Sequence, residues 1–207
     1  MKEFWNERYA ATEYAYGIKP NEFLKETLDK YKPTGTILFP AEGEGRNAVY
    51  AAKKGLNVSA FDISEEGKKK ALQLAQENNV NIDYQLGSLE EISLVPASFD
   101  SVALIYVHFP LSLRKGFHAK ISDLVKPNGI LILEGFSRNN LSFRKKNPNI
   151  GGPDKIEMLF TKDDIEIEFP NFDTLLLEEK EVELNEGKFH KGTGSVVRFI
   201  GRKKKVK

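Results

Sequence analysis

An α/β fold, doubly wound about a mostly parallel sheet, is predicted by three features of the chain. Short apolar runs alternate with stretches of helical length from residue 36 to residue 134. Glycines interleaved with acids, Gly43-Glu44-Gly45, stand where the first apolar run gives way to a helical stretch. Past residue 170 the alternation stops, and two strand-like segments follow each other directly. Strand–helix–strand repetition enforces right-handed crossovers, which lay strands parallel and cover both faces of the sheet. Two successive strands add an antiparallel ending.

The elements follow in order. Residues 4–16 carry five aromatics, Phe4, Trp5, Tyr9, Tyr14 and Tyr16, and Asn21 caps a helix reaching residue 31. Residues 36–39 form a buried strand, and 45–54 a helix that packs through Ala48, Val49, Ala51 and Ala52. A second strand spans 57–61. Ser64 caps a helix to residue 78, with Glu65 and Glu66 favouring its positive N-terminal end. Strands at 82–86 and 99–107 follow, then a helix over 111–125. The turn Lys126-Pro127-Asn128-Gly129 leads into a fifth strand at 130–134. Residues 136–160 have no period and are rich in Asn, Gly, Pro and basic residues; long irregular segments of this kind are often functional. A short helix at 161–169 precedes strands at 174–184 and 195–201, joined by 185–194.

The 207 residues suit one α/β domain, with 1–31 as an N-terminal lid and helix and 136–160 as a substrate-side loop. Thirty-one basic residues against 30 acidic ones leave a net charge of +1, so no global field points to nucleic acid or membrane. The basic run at 202–207 is a solvated tail. There is no cysteine, which excludes disulfides, thiolate metal sites and a cysteine nucleophile. No metal is expected. Residues 1–8 lack the apolar segment of a secretory signal, and the apolar stretch at 101–113 is too short to span a membrane and contains His108 and Pro110. These features place the chain in the cytoplasm.

The strongest chemical signal is Ile37-Leu38-Phe39-Pro40-Ala41-Glu42-Gly43-Glu44-Gly45-Arg46-Asn47. Glycine permits positive φ and close approach of a ligand, and the helix that follows offers unpaired N–H groups. Open α/β sheets bind nucleotides at such a turn, and an acid about twenty residues on takes the ribose hydroxyls. Asp62, ending the second strand, has that place. A dinucleotide would bring its pyrophosphate against Glu42 and Glu44, where like charges repel strongly at low dielectric. S-adenosylmethionine (SAM) carries no phosphate. Its sulfonium and amino group welcome acids, and its one carboxylate has the helix N-terminus or Arg46. Charge favours SAM over NAD.

Several further stretches complete a pattern: Phe4-Trp5-Asn6-Glu7-Arg8-Tyr9, Tyr16-Gly17-Ile18-Lys19-Pro20-Asn21, Ser98-Phe99-Asp100 and Lys126-Pro127-Asn128-Gly129. With the glycine turn and Asp62, they make the chain similar over nearly its whole length to class I SAM-dependent methyltransferases. Among these it resembles the tellurite-resistance and thiopurine methyltransferase-like proteins. The resemblance implies a Rossmann-like sheet of seven strands with a terminal antiparallel strand. It also implies a cofactor-contacting set of Trp5, Tyr16, Ala41, Glu42, Gly43, Gly45, Arg46, Asn47, Asp62, Ile63, Gly87, Ser88, Leu89 and Ile105. In it Gly87-Ser88-Leu89 read the adenine edge, and Ile105 and Tyr106 lie beneath the sulfonium. One departure stands out. The family has Asp-Leu-Gly-Cys-Gly where this chain has Phe39-Pro40-Ala41-Glu42-Gly43, so Glu42 is the candidate to replace the lost acid at the amino group.

On the acceptor side the expected catalytic residues are His108 and Tyr106, past the fourth strand; His190 is a further candidate, and His118 is read as a surface residue. Trp5, Tyr9, Tyr14 and Tyr16 suit a lid, since aromatic faces attract a sulfonium. The reaction implied is in-line methyl transfer to a small-molecule acceptor. A thiol or reduced chalcogen needs little base, whereas oxygen or nitrogen needs proton removal, which histidine suits. The short additions at 1–16 and 136–160 are too small for a nucleic-acid groove. Two alternatives stay open: a non-catalytic SAM-binding protein, and an NAD-dependent oxidoreductase.

Overall fold

The computed structural model describes residues 1–205; the last two residues of the basic C-terminal run lie outside the described residues. Its strands are β1 (Thr36–Pro40), β2 (Asn57–Asp62), β3 (Asp83–Leu86), β4 (Phe99–Ile105), β5 (Val125–Phe136), β6 (Phe172–Glu186) and β7 (His190–Lys203). They form one sheet in the order β3-β2-β1-β4-β5-β7-β6. β1 to β5 pair in parallel, and β7 is antiparallel to both of its neighbours. The helices are α1 (Lys2–Tyr9), α2 (Glu22–Tyr31), α3 (Arg46–Lys53), α4 (Glu65–Glu77), α5 (Leu111–Leu124), α6 (Asn140–Lys146) and α7 (Lys162–Glu168). This is the doubly wound sheet that the alternation predicts.

Side chains alternate across a strand, so each apolar strand supplies two cores. Leu38, Val102, Leu104, Leu131 and Leu133 pack on one face with Phe117 and Ile121 of α5 and Ile165 of α7. Ile37, Phe39, Ala103 and Ile132 pack on the other with Leu24 and Leu28 of α2, Ala48 and Ala51 of α3, and Ala71 of α4. The sheet is thus buried on both sides, and its carboxyl edge is the open place for chemistry. Among the described residues no helix is long and apolar enough to cross a membrane.

Several boundaries differ from expectation. β4 ends at Ile105, two residues early, because Tyr106 takes a left-handed φ of 56°. β5 starts at Val125, and residues 126–129 loop out as a bulge before Ile130 pairs with Ser101. The last two strands are longer than predicted. Gly192 and Gly194 read as loop, yet the β6–β7 ladder runs unbroken into Glu186↔His190, and Gly187 with φ 64° makes the turn. The irregular 136–160 segment holds α6 and the 3-10 turns Pro148–Ile150 and Ile156–Met158.

His118 is a correction. It is fully buried rather than on the surface, and its Nδ1 lies 2.6 Å from Glu168 Oε2. Arg114 donates to the same carboxylate at 2.7 Å and lies over the Phe160 ring. The cluster fastens α5 to α7, and no local period marks it.

Candidate active site

The order of the sheet reverses between β1 and β4, and ligands in open α/β sheets bind outside the strand ends at that point. β1 delivers the acidic turn there. Ala41, Gly43 and Gly45 all have positive φ, at 50°, 65° and 86°. Glu42 folds back so that Oε1 accepts from the backbone N–H groups of Asn47 (2.9 Å) and Ala48 (2.8 Å). It thereby satisfies two of the unpaired donors in the first turn of α3. Asp62 spans the turn: Oδ2 accepts from Gly43 N at 3.0 Å and Oδ1 from Ser64 N at 2.9 Å. Glu44 accepts from Lys70 Nζ at 2.8 Å and from Ala15 N at 2.8 Å.

Three carboxylates, Glu42 and Glu44 of the turn and Asp62 at the end of β2, therefore meet here, with Lys70 and Arg46 as the neighbouring cations. The charge is undercompensated. Burial pushes Glu42 up to about 7 against the pull of the Ala48 amide and Arg46, and burial raises Asp62 as well. Such a place repels phosphate and suits a cationic ligand, so the residues present fit SAM.

The two glycines of the turn do different things. A Cβ on Gly45 would stand 2.7 Å from Ala71 Cα, so this glycine is required by the contact of α3 with α4. A Cβ on Gly43 would meet the Tyr9 hydroxyl at 2.5 Å. Tyr9 is buried there, and Trp5 stacks on it at 5.4 Å. Asn6 holds α1 in place by accepting from Ser64 Oγ (2.7 Å) and Glu65 N (3.0 Å) at the start of α4. Beside Asp62, Gly87 N donates to the Asp62 carbonyl at 2.9 Å, which brings residues 87–88 and half-buried Ile63 to the same edge. Leu89 instead turns into the core. The opening aromatics divide: Tyr9 covers the glycine turn, Tyr14 bonds the carbonyl of Lys70, and Tyr16 lies against His190.

Across the switch point, Tyr106 N donates to Glu134 O at 2.7 Å, and its ring stacks on Phe136 at 4.7 Å. A left-handed φ in an aromatic residue is strain of the kind that clusters at functional sites. Its hydroxyl is buried with no hydrogen-bond partner of good geometry among the described residues. Burial, then the Glu134 and Glu186 carboxylates, raise its pKa far above the usual tyrosine value.

His108 is engaged on both sides: Nδ1 donates to Met158 O at 2.8 Å, and Nε2 accepts from Phe136 N at 3.1 Å. Burial takes its pKa down to about 4. No ring nitrogen is left to take an acceptor's proton, so in this arrangement His108 braces the end of β5 against the 136–160 segment, contrary to the catalytic role expected of it.

A buried charge cluster lies beside Tyr106. Glu134, ending the apolar run of β5, is bonded by Asn21 Nδ2 at 2.6 Å and by Arg198. Glu186, at the hairpin turn, accepts from Arg46 Nη2 at 3.0 Å, and His190 Nδ1 lies 3.0 Å from the same oxygen. Burial works to raise Glu186, but Arg46 and His190 outweigh it and hold it at about 2. Arg46, expected at a ligand carboxylate, is thus paired with Glu186 and also reaches the carbonyls of Tyr16 and Lys19. Glu134 was open to sequence reasoning: it is an acid ending an apolar strand, the signal that marks Asp62. Glu186 carries no such signal.

Residues 40–133, from the end of β1 through most of β5, match the family described as a methyltransferase domain. The chain is 30% identical over 116 residues to a ubiquinone biosynthesis O-methyltransferase of Xanthomonas campestris pv. campestris, covering 54% of this chain and 47% of the relative. It is 26% identical over 157 residues to a tRNA (uracil(54)-C(5))-methyltransferase of Pyrococcus furiosus, covering 70% of this chain and 36% of the relative. The chain thus spans about half the length, or less, of these curated relatives. Among solved structures, one described by the conversion of a disulfide bond into a thioacetal group during echinomycin biosynthesis superposes with a TM-score of 0.78. It is 14% identical, with 99% of this chain and 92% of the other covered. TehB from Haemophilus influenzae superposes with a TM-score of 0.67 at 13% identity, covering 98% of this chain and 67% of the other. The fold is the Rossmann-like methyltransferase fold.

Proposed function

We propose that this chain is a SAM-dependent methyltransferase acting on a small-molecule acceptor. The observation that carries the reading is Asp62, bonded to Gly43 N at the switch point within a turn that also holds Glu42 and Glu44. The match to a methyltransferase domain over residues 40–133 and the fold support it. When bound, SAM supplies an electrophilic methyl group. Asp62 takes the ribose hydroxyls, Glu42 faces the ammonium, and Gly87 and Ser88 border the adenine. Tyr9 and Trp5 cover the ligand. Tyr106, fixed by its backbone conformation and by Phe136, forms the wall between cofactor and acceptor. Most of the catalysis is positioning, since holding two reactants in line is worth roughly 7–11 kcal/mol.

A small acceptor agrees with the net charge of +1 and with the short additions around the site. The ubiquinone biosynthesis relative bears on the same point. The resemblance to tellurite-resistance and thiopurine methyltransferase-like proteins brings in a thiol or reduced chalcogen, which needs little base.

Thermal unfolding with S-adenosylhomocysteine tests the proposal. Ligand at about a hundred times its Kd adds about 2.7 kcal/mol of stability. A shift from NAD with none from SAM or S-adenosylhomocysteine would put an oxidoreductase in its place. Tight binding without turnover of small thiols, chalcogen oxyanions, amines and phenols would leave a SAM-binding protein.

A further inference from the structure

The methionine end of SAM carries an ammonium and a carboxylate, and the acidic turn suits only the first. From the sequence, the carboxylate has the N-terminus of α3 or Arg46. The structure occupies both. Glu42 Oε1 takes the N–H groups of Asn47 and Ala48 at the start of α3. Glu186 takes Arg46 at 3.0 Å, and the other neighbouring cation, Lys70, is paired with Glu44 at 2.8 Å. A carboxylate left without its own cation beside Glu42, Glu44 and Asp62 would meet strong like-charge repulsion at low dielectric. One more cation is needed at this end.

Arg8 has both the place and the free donors. It stands in the last turn of α1, next to Tyr9, whose hydroxyl covers Gly43. Tyr16 joins it to the site, because the Tyr16 hydroxyl accepts from Arg8 Nη1 at 3.4 Å and the Tyr16 carbonyl from Arg46 Nη1 at 3.5 Å. Among the described residues no carboxylate pairs with Arg8, and that long contact to Tyr16 is its one side-chain hydrogen bond. A guanidinium has five N–H donors, so most of them are unused. The side chain is half-buried rather than enclosed. Its flat face is the part that is covered: Cζ lies 3.8 Å from the ring centroid of Phe189 and 5.1 Å from that of Phe4. Such stacking fixes the plane of a guanidinium and leaves its N–H edge to a ligand. The platform itself is anchored. β6 and β7 stay paired to Glu186↔His190, past the last β5 pair at Phe136↔Val196, and the tip meets the N-terminal segment where Lys188 N donates to Ala15 O at 3.0 Å.

We propose that Arg8 binds the carboxylate of the methionine end of SAM, and that Phe189 and Tyr16 hold its guanidinium for that contact. The proposal rests on the methyltransferase reading. It divides the ligand between two parts of the chain. Asp62 and the turn at residues 41–47 take the nucleoside and the ammonium, and α1 takes the carboxylate. The N-terminal segment thus reads the amino-acid end, and a nucleoside without that end loses the contact that draws α1 down. The planar fork of arginine matches a carboxylate through two N–H groups, which the single ammonium of a lysine does not.

The test is calorimetric titration of the wild type, Arg8→Met and Arg8→Lys with three ligands. They are S-adenosylhomocysteine, its decarboxylated analogue, which keeps the amine, and methylthioadenosine, which lacks both charged groups. The wild type should bind S-adenosylhomocysteine at least tenfold more tightly than the decarboxylated analogue, as expected for a charge-assisted contact. Arg8→Met should lose at least tenfold for S-adenosylhomocysteine and less than threefold for the other two. Arg8→Lys should fall between wild type and Arg8→Met for S-adenosylhomocysteine alone. In the wild type, the guanidinium NMR signal of Arg8 should shift with S-adenosylhomocysteine and stay in place with the decarboxylated analogue; this measurement needs no variant to fold. Equal losses for all three ligands in Arg8→Met would make Arg8 a packing residue of α1 and overturn the proposal. So would a wild type that binds the decarboxylated analogue as tightly as S-adenosylhomocysteine, or an Arg8 signal indifferent to the carboxylate. A wild type that binds none of the three would instead remove the methyltransferase reading beneath it.

Discussion

The two flanks of the switch point are built in different ways. On the β1–β2 flank the acids Glu42 and Asp62 lie within about twenty residues of each other and accept from the backbone N–H groups of Gly43, Asn47, Ala48 and Ser64. On the β4–β7 flank Glu134, Glu186, Arg46, Arg198, Asn21 and His190 come from five distant parts of the chain and bond through side chains. The first flank is local, so one mutation there changes a ligand contact or a turn. The second is a network, so removing one member leaves another charge buried and unpaired.

The largest effect is expected in the network. Arg198→Met leaves the Glu134 carboxylate, almost wholly buried, with Asn21 as its remaining partner. Breaking a buried pair from one side costs about 3–5 kcal/mol. Urea denaturation near neutral pH measures it. A loss below about 1 kcal/mol would mean that the second flank is no more coupled than the first.

Gly45→Val comes next. A left-handed φ of 86° and a Cβ against Ala71 predict a loss of about 2–4 kcal/mol in folding stability itself. A mutant as stable as wild type that has lost only S-adenosylhomocysteine binding would make Gly45 a ligand-approach residue instead.

Asp62→Ala should weaken cofactor affinity by roughly 2–4 kcal/mol, as charge-assisted bonds to the ribose are lost. It also leaves the N–H groups of Gly43 and Ser64 without their acceptor, so stability falls by about 1–3 kcal/mol. Calorimetry of Ala and Asn variants separates the two effects. Unchanged affinity in a folded Ala variant refutes the ribose assignment.

Glu42 gives the smallest effect and the sharpest sign. Its folded pKa, about 7, lies above the ordinary glutamate value of 4.5. The folded chain therefore holds the extra proton between those values, and the stability tied to it is present below 4.5 and lost as pH rises through 7. A cationic ligand at Glu42 favours the carboxylate, so SAM affinity should rise roughly tenfold from pH 6 to pH 8. Glu42→Gln should flatten both slopes. A pH-independent affinity in the wild type places the ammonium elsewhere.

Most of the fold is legible in the sequence because its parallel strands are buried on both faces and read as plain apolar runs. The turn at residues 41–47 and Asp62 are legible for the same reason that their flank is local: glycine and acid fall at strand ends. The other flank resists reading. Gly192 and Gly194 disguise seven more residues of ladder as loop, and Glu186 gains its meaning from Arg46, 140 positions away. His108 has the sequence position of a catalytic residue, but Met158 and the Phe136 amide take its two nitrogens. His118 reads as surface because its partner Glu168 stands on another short helix.

Hydrogen exchange with and without S-adenosylhomocysteine tests the whole account most directly, because the proposed site is closed by the N-terminal segment and the hairpin tip. On ligand binding the amides of residues 4–16, 41–47 and 186–190 should slow markedly, while those of β1 and β4 change little. Equal exchange in all three segments at saturating ligand, or no binding at millimolar ligand, would contradict it.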